Sequence, residues 1–238
     1  MDEYQFVNGA LQLERTFYGK GKQLQALRSF LNRLISKMEN KTDEEANRVF
    51  QEYWYRYSSK LEILKNLSRN EINQVFKQRK TLRNFCLHLL KSSQNLIAAA
   101  SKIRSWRYNI ELAAKAYEAF KIGAGQRQRD EYRNAISQIN DMQEAKANMQ
   151  KMMNLMNTAI QRFKLPFVTQ IVSMYTSIFN ELCKFCDKVA DYAKMLEREA
   201  EKALGPKSGW NRVFRKNSVY SLGKAGNADS SITLDSTL

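Results

Sequence analysis

Proline and glycine, the residues that most often interrupt a helix, are scarce in this chain: two and nine among 238 residues. Few positions therefore oblige a helix to stop. Histidine occurs once, and neither a phosphate-binding glycine loop nor a nucleophile elbow is present. The sequence thus points away from an enzyme and calls for no cofactor. No run of 18 apolar residues occurs, so no segment suits a membrane-spanning helix. The opening MDEYQF has neither the basic nor the apolar region of a signal peptide. A cytoplasmic protein is expected, with any membrane contact peripheral.

Cysteine is nearly as rare. Three thiols, an odd number, argue against a disulfide framework. Cys183 and Cys186 share a helical face inside an apolar run, and with Cys86 and His88 they nominally supply a zinc ligand set. Cys86 and His88, however, stand two residues apart, about 200° round a helix, and do not easily converge. Buried structural thiols, and no metal, are expected.

Apolar and aromatic residues are abundant: 43% of the chain is apolar, with 12 Phe, 11 Tyr and 3 Trp, enough for a real core. Their spacing is helical. Leu24, Leu27, Leu31, Leu34 and Met38 alternate steps of three and four, a narrow packing seam on a first helix over residues 3–39. Asn40-Lys41 makes a turn, and Thr42 with Glu45 forms a capping box for a second helix. That helix is expected over 43–121, with Val49, Tyr53, Leu64, Ile72, Val75, Leu82, Phe85, Leu89, Leu96, Ile103 and Ile110 on its buried face. Ser68 and Glu71 form another possible capping box, which marks 67–69 as the place for a kink or break. Gly123-Ala-Gly125 suits a hairpin tip.

A third helix is expected over 127–204, with Met153, Ile160, Phe163, Phe167, Ile171, Ile178, Leu182, Phe185, Val189 and Tyr192 in its seam. Two consecutive steps of four at Phe163, Phe167 and Ile171 break the heptad spacing. Pro166 lies in that stutter and removes a backbone donor, so one long, bent helix is predicted. The methionines from Met142 to Met156 read as core filler. Gly205-Pro206 closes the helix, leaving a helical bundle over 1–204 and a flexible basic tail over 205–238.

Charge is distributed unevenly. The formal net charge is +15, and between residues 69 and 107 nine Lys/Arg face a single acid, Glu71. Arg69, Lys80, Lys91 and Lys102 recur every eleven residues. On an unbroken helix that is three turns plus roughly 20°, so the four align along about 50 Å. An extended positive surface suits a bilayer or a nucleic acid. The expected fold is all-α, an elongated three-helix antiparallel coiled-coil bundle whose uncovered seams recruit a second copy as a homodimer.

The order and proportions, a shorter first helix, two very long bent ones, a hairpin tip and a basic face, resemble the BAR-domain superfamily over residues 3–204. Ile160-Gln-Arg-Phe163, Ile171, Tyr175, Phe179-Asn-Glu-Leu182 and Tyr192 look like the third helix of the ciliary BAR-domain proteins. Leu13-Glu-Arg-Thr-Phe17 is faintly similar to the start of that group's first helix. The resemblance implies a crescent-shaped homodimer that binds anionic phospholipid membranes and senses, stabilises or generates curvature in membrane trafficking. It would place Lys77, Lys80, Arg83, Lys91 and Lys102 on the face, Arg104 and Arg107 along the flank, and Lys121, Arg127 and Arg129 at the tip.

Because the first helix is expected to start almost at once, no spare N-terminal segment is expected to act as a membrane wedge. In the tail, Trp210, Arg212, Phe214, Arg215 and Lys216 suit an interfacial contact, a plain linker being the alternative. Ser236-Thr237-Leu238 fits the ending that PDZ grooves capture. Ser218, after Arg215 and Lys216, suits a basophilic kinase, whose phosphate would weaken membrane attachment. Nucleic-acid binding matches the charge but lacks any recognisable module, and a long arm fits a groove poorly. A structural coiled coil, or a scaffold that docks a small GTPase or another coiled coil, is the remaining alternative.

Overall fold

The computed structural model describes residues 3–121 and 142–204, and every regular element among them is helical. Six α-helices follow in order: α1 (Glu3–Met38), α2 (Asp43–Tyr57), α3 (Arg69–Lys77), α4 (Leu82–Lys121), α5 (Met142–Gln161) and α6 (Val168–Leu204). Single 3-10 turns occupy Ser58–Lys60, Glu62–Leu64 and Arg79–Thr81. The chain divides into two compact units, Met1–Ala193 and Lys194–Leu238. In the second unit the described residues are the helical Lys194–Leu204.

Side-chain pairings within the first unit give the direction of each helix. Glu14 on α1 meets Arg104 and Arg107 on α4, Gly21 lies against Ile97, and Glu39, just past α1, pairs with Arg83. The partner's number falls as the α1 number rises, so α1 and α4 are antiparallel. Phe6 packs on Tyr192 with ring centroids 4.7 Å apart and Gly9 faces Phe185, so α6 also runs against α1. Phe85 and His88 on α4 meet Phe163, while Leu96 and Ala99 share a small cavity with Met153 and Met156 of α5. Lys146 on α5 bonds Asp187 on α6 at 2.5 Å, and Met156 lines the same cavity as Tyr175. α1, α4, α5 and α6 therefore make an up-down-up-down four-helix bundle. Leu24, Leu27, Leu31, Leu34, Leu89, Ile103, Ile110, Ile160, Ile171, Leu182 and Val189 are buried inside a single chain.

The first helix ends where its sequence indicates. Asn40 adopts φ 59°, a left-handed turn that asparagine tolerates, and the Thr42–Glu45 capping box then starts α2. The second expected helix is interrupted twice. α2 stops at Tyr57 before Ser58-Ser59, whose hydroxyls compete with helical backbone bonding. Leu61 is extended (φ −115°, ψ 113°), and the Ser68–Glu71 capping box restarts the helix as α3. α3 ends at Lys77, and Gln78 (φ −95°, ψ 17°) leads into the 3-10 turn before α4. α2 and α3 form a short hairpin: Phe50 packs on Phe76, and Gln51 bonds Asn73 at 3.2 Å. Phe30 of α1 seats it through Tyr53 and Trp54.

The third expected helix is likewise two helices, and the predicted bend is a reversal. Pro166 has no N–H to donate, and residues 162–167 form turns between α5 and α6. Phe85 receives Phe163 and Phe167 from either side of Pro166, at 5.2 and 5.6 Å between ring centroids, so the loop is held by aromatic packing. Among the described residues, the two very long helices that the BAR resemblance implies are therefore five shorter ones. Residues 127–141, the Gly123–Gly125 tip and the tail from 205 lie outside the described residues.

Candidate functional site

The longest uninterrupted helix, α4, sets out the cationic side chains along one solvent face. Arg83, Leu87, Lys91, Lys102, Tyr108, Leu112 and Lys115 are all exposed. At about 100° per residue they fall within an arc of roughly 140°, and at about 1.5 Å per residue they span about 48 Å. Glu111 and Glu118, the acids of α4, lie about 110° and 130° from the middle of that arc. The arc itself holds no carboxylate. Three large apolar side chains stand out from it: Leu87 is 57% exposed, Tyr108 60% and Leu112 39%. Scattered exposed apolar residues are ordinary on a protein surface; three in one cationic arc form an amphipathic strip.

The helix interruptions reset the eleven-residue alignment. Lys91 and Lys102 keep it because both sit on α4. Arg69 opens α3 behind the Ser68 cap, Lys77 closes α3, and Lys80 lies in the 3-10 turn. All three are exposed but are out of phase with α4, because the backbone at Gln78 and through the following 3-10 turn departs from the α-helical rotation per residue.

Other predicted contact residues are engaged inside the fold. Arg83 pairs with Glu39 across the surface, both groups remaining solvated, so the pair is weak and opens readily to another anion. Arg104 donates from Nε to Glu14 at 2.7 Å, and Arg107 reaches the other Glu14 oxygen at 3.5 Å and Glu111 at 3.6 Å. Glu14 is buried, and these two guanidinium groups compensate its charge. Lys121 closes α4, and its side chain is outside the described residues, as are Arg127, Arg129, Trp210, Arg212, Phe214, Arg215, Lys216, Ser218 and Ser236-Thr237-Leu238. Lys115, Leu87, Tyr108 and Leu112 were not singled out by the charge pattern. Their signal is spacing: the outward apolar positions fall off the α4 seam but in phase with Lys91.

The thiols sit inside the helical packing. Cys86 and Cys186 are buried and Cys183 half-buried, and none of the three is in a disulfide. Burial pushes Cys86 up to about 11 and Cys186 to about 12, and it raises Cys183 as well. Thiols held protonated in this way are poor nucleophiles and poor metal ligands. His88 rests edge-on against Phe163, and desolvation lowers its pKa first, with Lys91 and Arg162 adding to the effect. No helix among the described residues is long and apolar enough to cross a membrane. Comparison with family models, curated proteins and solved structures gives no match.

Proposed function

We propose that this protein is a peripheral membrane protein that lies on anionic lipid through the outward face of α4. The observation that carries the reading is the amphipathic strip from Arg83 to Lys115, cationic, without a carboxylate of its own helix and studded with exposed Leu87, Tyr108 and Leu112. Each Lys or Arg near an anionic leaflet contributes about 1 kcal/mol, so the four cations of the strip support reversible, salt-sensitive attachment. The apolar side chains add a term that salt does not screen. Full burial of a leucine contributes about 1.5–3 kcal/mol, and entry into the headgroup boundary gains a fraction of that.

The apolar component favours lipid over nucleic acid. Leu87 and Leu112 gain contacts in an acyl boundary, whereas a phosphodiester backbone offers them little. The anionic leaflet facing the cytoplasm is the surface in view. The reading needs neither a crescent arm nor a second copy, since the strip belongs to one helix of one chain.

The test is vesicle flotation across salt. Binding should require phosphatidylserine and weaken several-fold as ionic strength rises from about 0.1 M, where the screening length is about 10 Å, to about 1 M, where it is about 3 Å. A Leu87→Ser/Leu112→Ser variant should bind several-fold less at every salt concentration. Equal binding to vesicles without anionic lipid would overturn the reading. So would tighter binding to duplex DNA that is indifferent to the two leucines.

A further inference from the structure

A second cationic feature lies away from the α4 strip, where α1 turns into α2. Lys37, Lys41 and Arg56 line a surface notch of about 200 Å³ with Val49, Glu52, Tyr53 and Tyr57. The turn builds it. Left-handed Asn40 reverses the chain after Met38, the Lys41 N–H bonds the Met38 carbonyl at 3.4 Å, and Lys41 is thereby set beside the last turn of α2. The wall is aromatic: the Tyr53 and Tyr57 rings lie 4.6 Å apart between centroids. Lys37 Nζ stands 5.9 Å from the Tyr53 ring centre, and Lys60 Nζ 5.7 Å from that of Tyr57. Lys37 is therefore held at the notch by a ring face rather than by an acid, while Lys60 lines a neighbouring groove with Gly19 and Leu61.

Lys37 and Arg56 sit in the last turns of α1 and α2, where a cation complements the negative helix end. That role accounts for two of the charges. Glu52 offsets one more, yet it forms no ion pair with Lys37, Lys41 or Arg56. Lys41 lies past the end of α1, where its charge is felt by Glu45 without an ion pair between them. Unpaired ammonium and guanidinium groups around one concavity, over a tyrosine floor, have the chemistry of a phosphate-ester site.

We infer that this notch binds a phosphomonoester, its dianionic phosphate between Lys41 and Arg56 and the attached organic group against Tyr53 and Tyr57. A lipid headgroup and a soluble phosphate ester share that chemistry, and the experiment separates them. The full chain is titrated calorimetrically with inorganic phosphate and with inositol 1,4-bisphosphate. It is then co-sedimented with phosphatidylcholine vesicles containing phosphatidylinositol 4-phosphate.

The expected result is binding of inositol 1,4-bisphosphate that exceeds inorganic phosphate. It should fall at least about tenfold in Lys41→Gln/Arg56→Gln, as the loss of charge-assisted hydrogen bonds requires. Both residues are exposed, so an unchanged thermal midpoint would show that the variant folds. Binding to the phosphoinositide vesicles alone, lost in the same variant, would assign the site to the lipid headgroup. No binding of any probe would overturn the inference, as would binding that survives the double substitution. A Lys91→Glu/Lys102→Glu variant should take up inositol 1,4-bisphosphate like the parent, so failure here is distinguishable from failure of the α4 strip.

Discussion

Two glycines on α1, two residues apart, show how local the constraints are. A Cβ built on Gly21 would stand 2.8 Å from Ile97 Cγ1 and 3.1 Å from the Ser93 carbonyl oxygen, while one on Gly19 would meet nothing within 4 Å. Gly21 thus permits the close approach of α1 to α4, and Gly19 only loosens a helix. Urea unfolding should show Gly19→Ala stabilised by about 0.5–1 kcal/mol and Gly21→Val destabilised by about 1–3 kcal/mol. The thiols give a pH prediction at the same scale. Burial holds Cys86 near 11 and Cys186 near 12, above the ordinary thiol value of about 8.5. The native state keeps both protons while the unfolded chain releases them. Stability is therefore untouched below about pH 8.5 and falls as pH climbs towards the native values. Urea midpoints followed from pH 8 upward should decline less steeply in Cys86→Ala and Cys186→Ala than in the parent.

At the scale of elements, caps rather than seams decide where helices stand. Ser68 accepts from the Glu71 N–H, and the Glu71 carboxylate accepts from the Ser68 N–H at 2.7 Å. The Ser68 hydroxyl, which also donates to that carboxylate at 2.7 Å, and then the Ser68 N–H hold Glu71 below the usual carboxylate range. Ser68→Ala should lower stability by about 1 kcal/mol in chemical denaturation, with Asp at the same position restoring most of it. The first helix, both capping boxes and the buried seam residues were legible in the sequence, because three-and-four spacing and cap motifs are local. The reversal at Pro166 was not. A seam with the same spacing serves one bent helix or two that fold back on each other. The choice is made by Phe85 gripping Phe163 and Phe167 from a helix some 80 positions earlier in the chain. The break after Tyr57 carries only the weak signal of two serines, since Tyr57, Leu61 and Leu64 continue the helical spacing across it.

For the whole molecule, the net charge of +15 describes an excess and not a face. Arg79 is spent on Asp43, Arg104 and Arg107 on Glu14, and Lys146 on Asp187. Of the predicted cationic residues, Lys91 and Lys102 hold their alignment because α4 carries both without a break. Arg69 and Lys80 lose it to a cap and a 3-10 turn that no eleven-residue count reveals. The apolar members Leu87, Tyr108 and Leu112 emerge only once the packed side of α4 is known, since leucine reads as core until shown otherwise.

The most direct test of the α4 face is co-sedimentation with phosphatidylserine vesicles of two variants that lose the same charge from different helices. Lys91→Glu/Lys102→Glu reverses the strip, while Lys151→Glu/Lys184→Glu reverses exposed lysines on α5 and α6. The strip variant should release the vesicles, and the other should bind within about threefold of the parent, the order expected when only distant, screened charge changes. Equal loss in both would show that bulk charge, not the α4 face, attaches the protein, and would contradict the account.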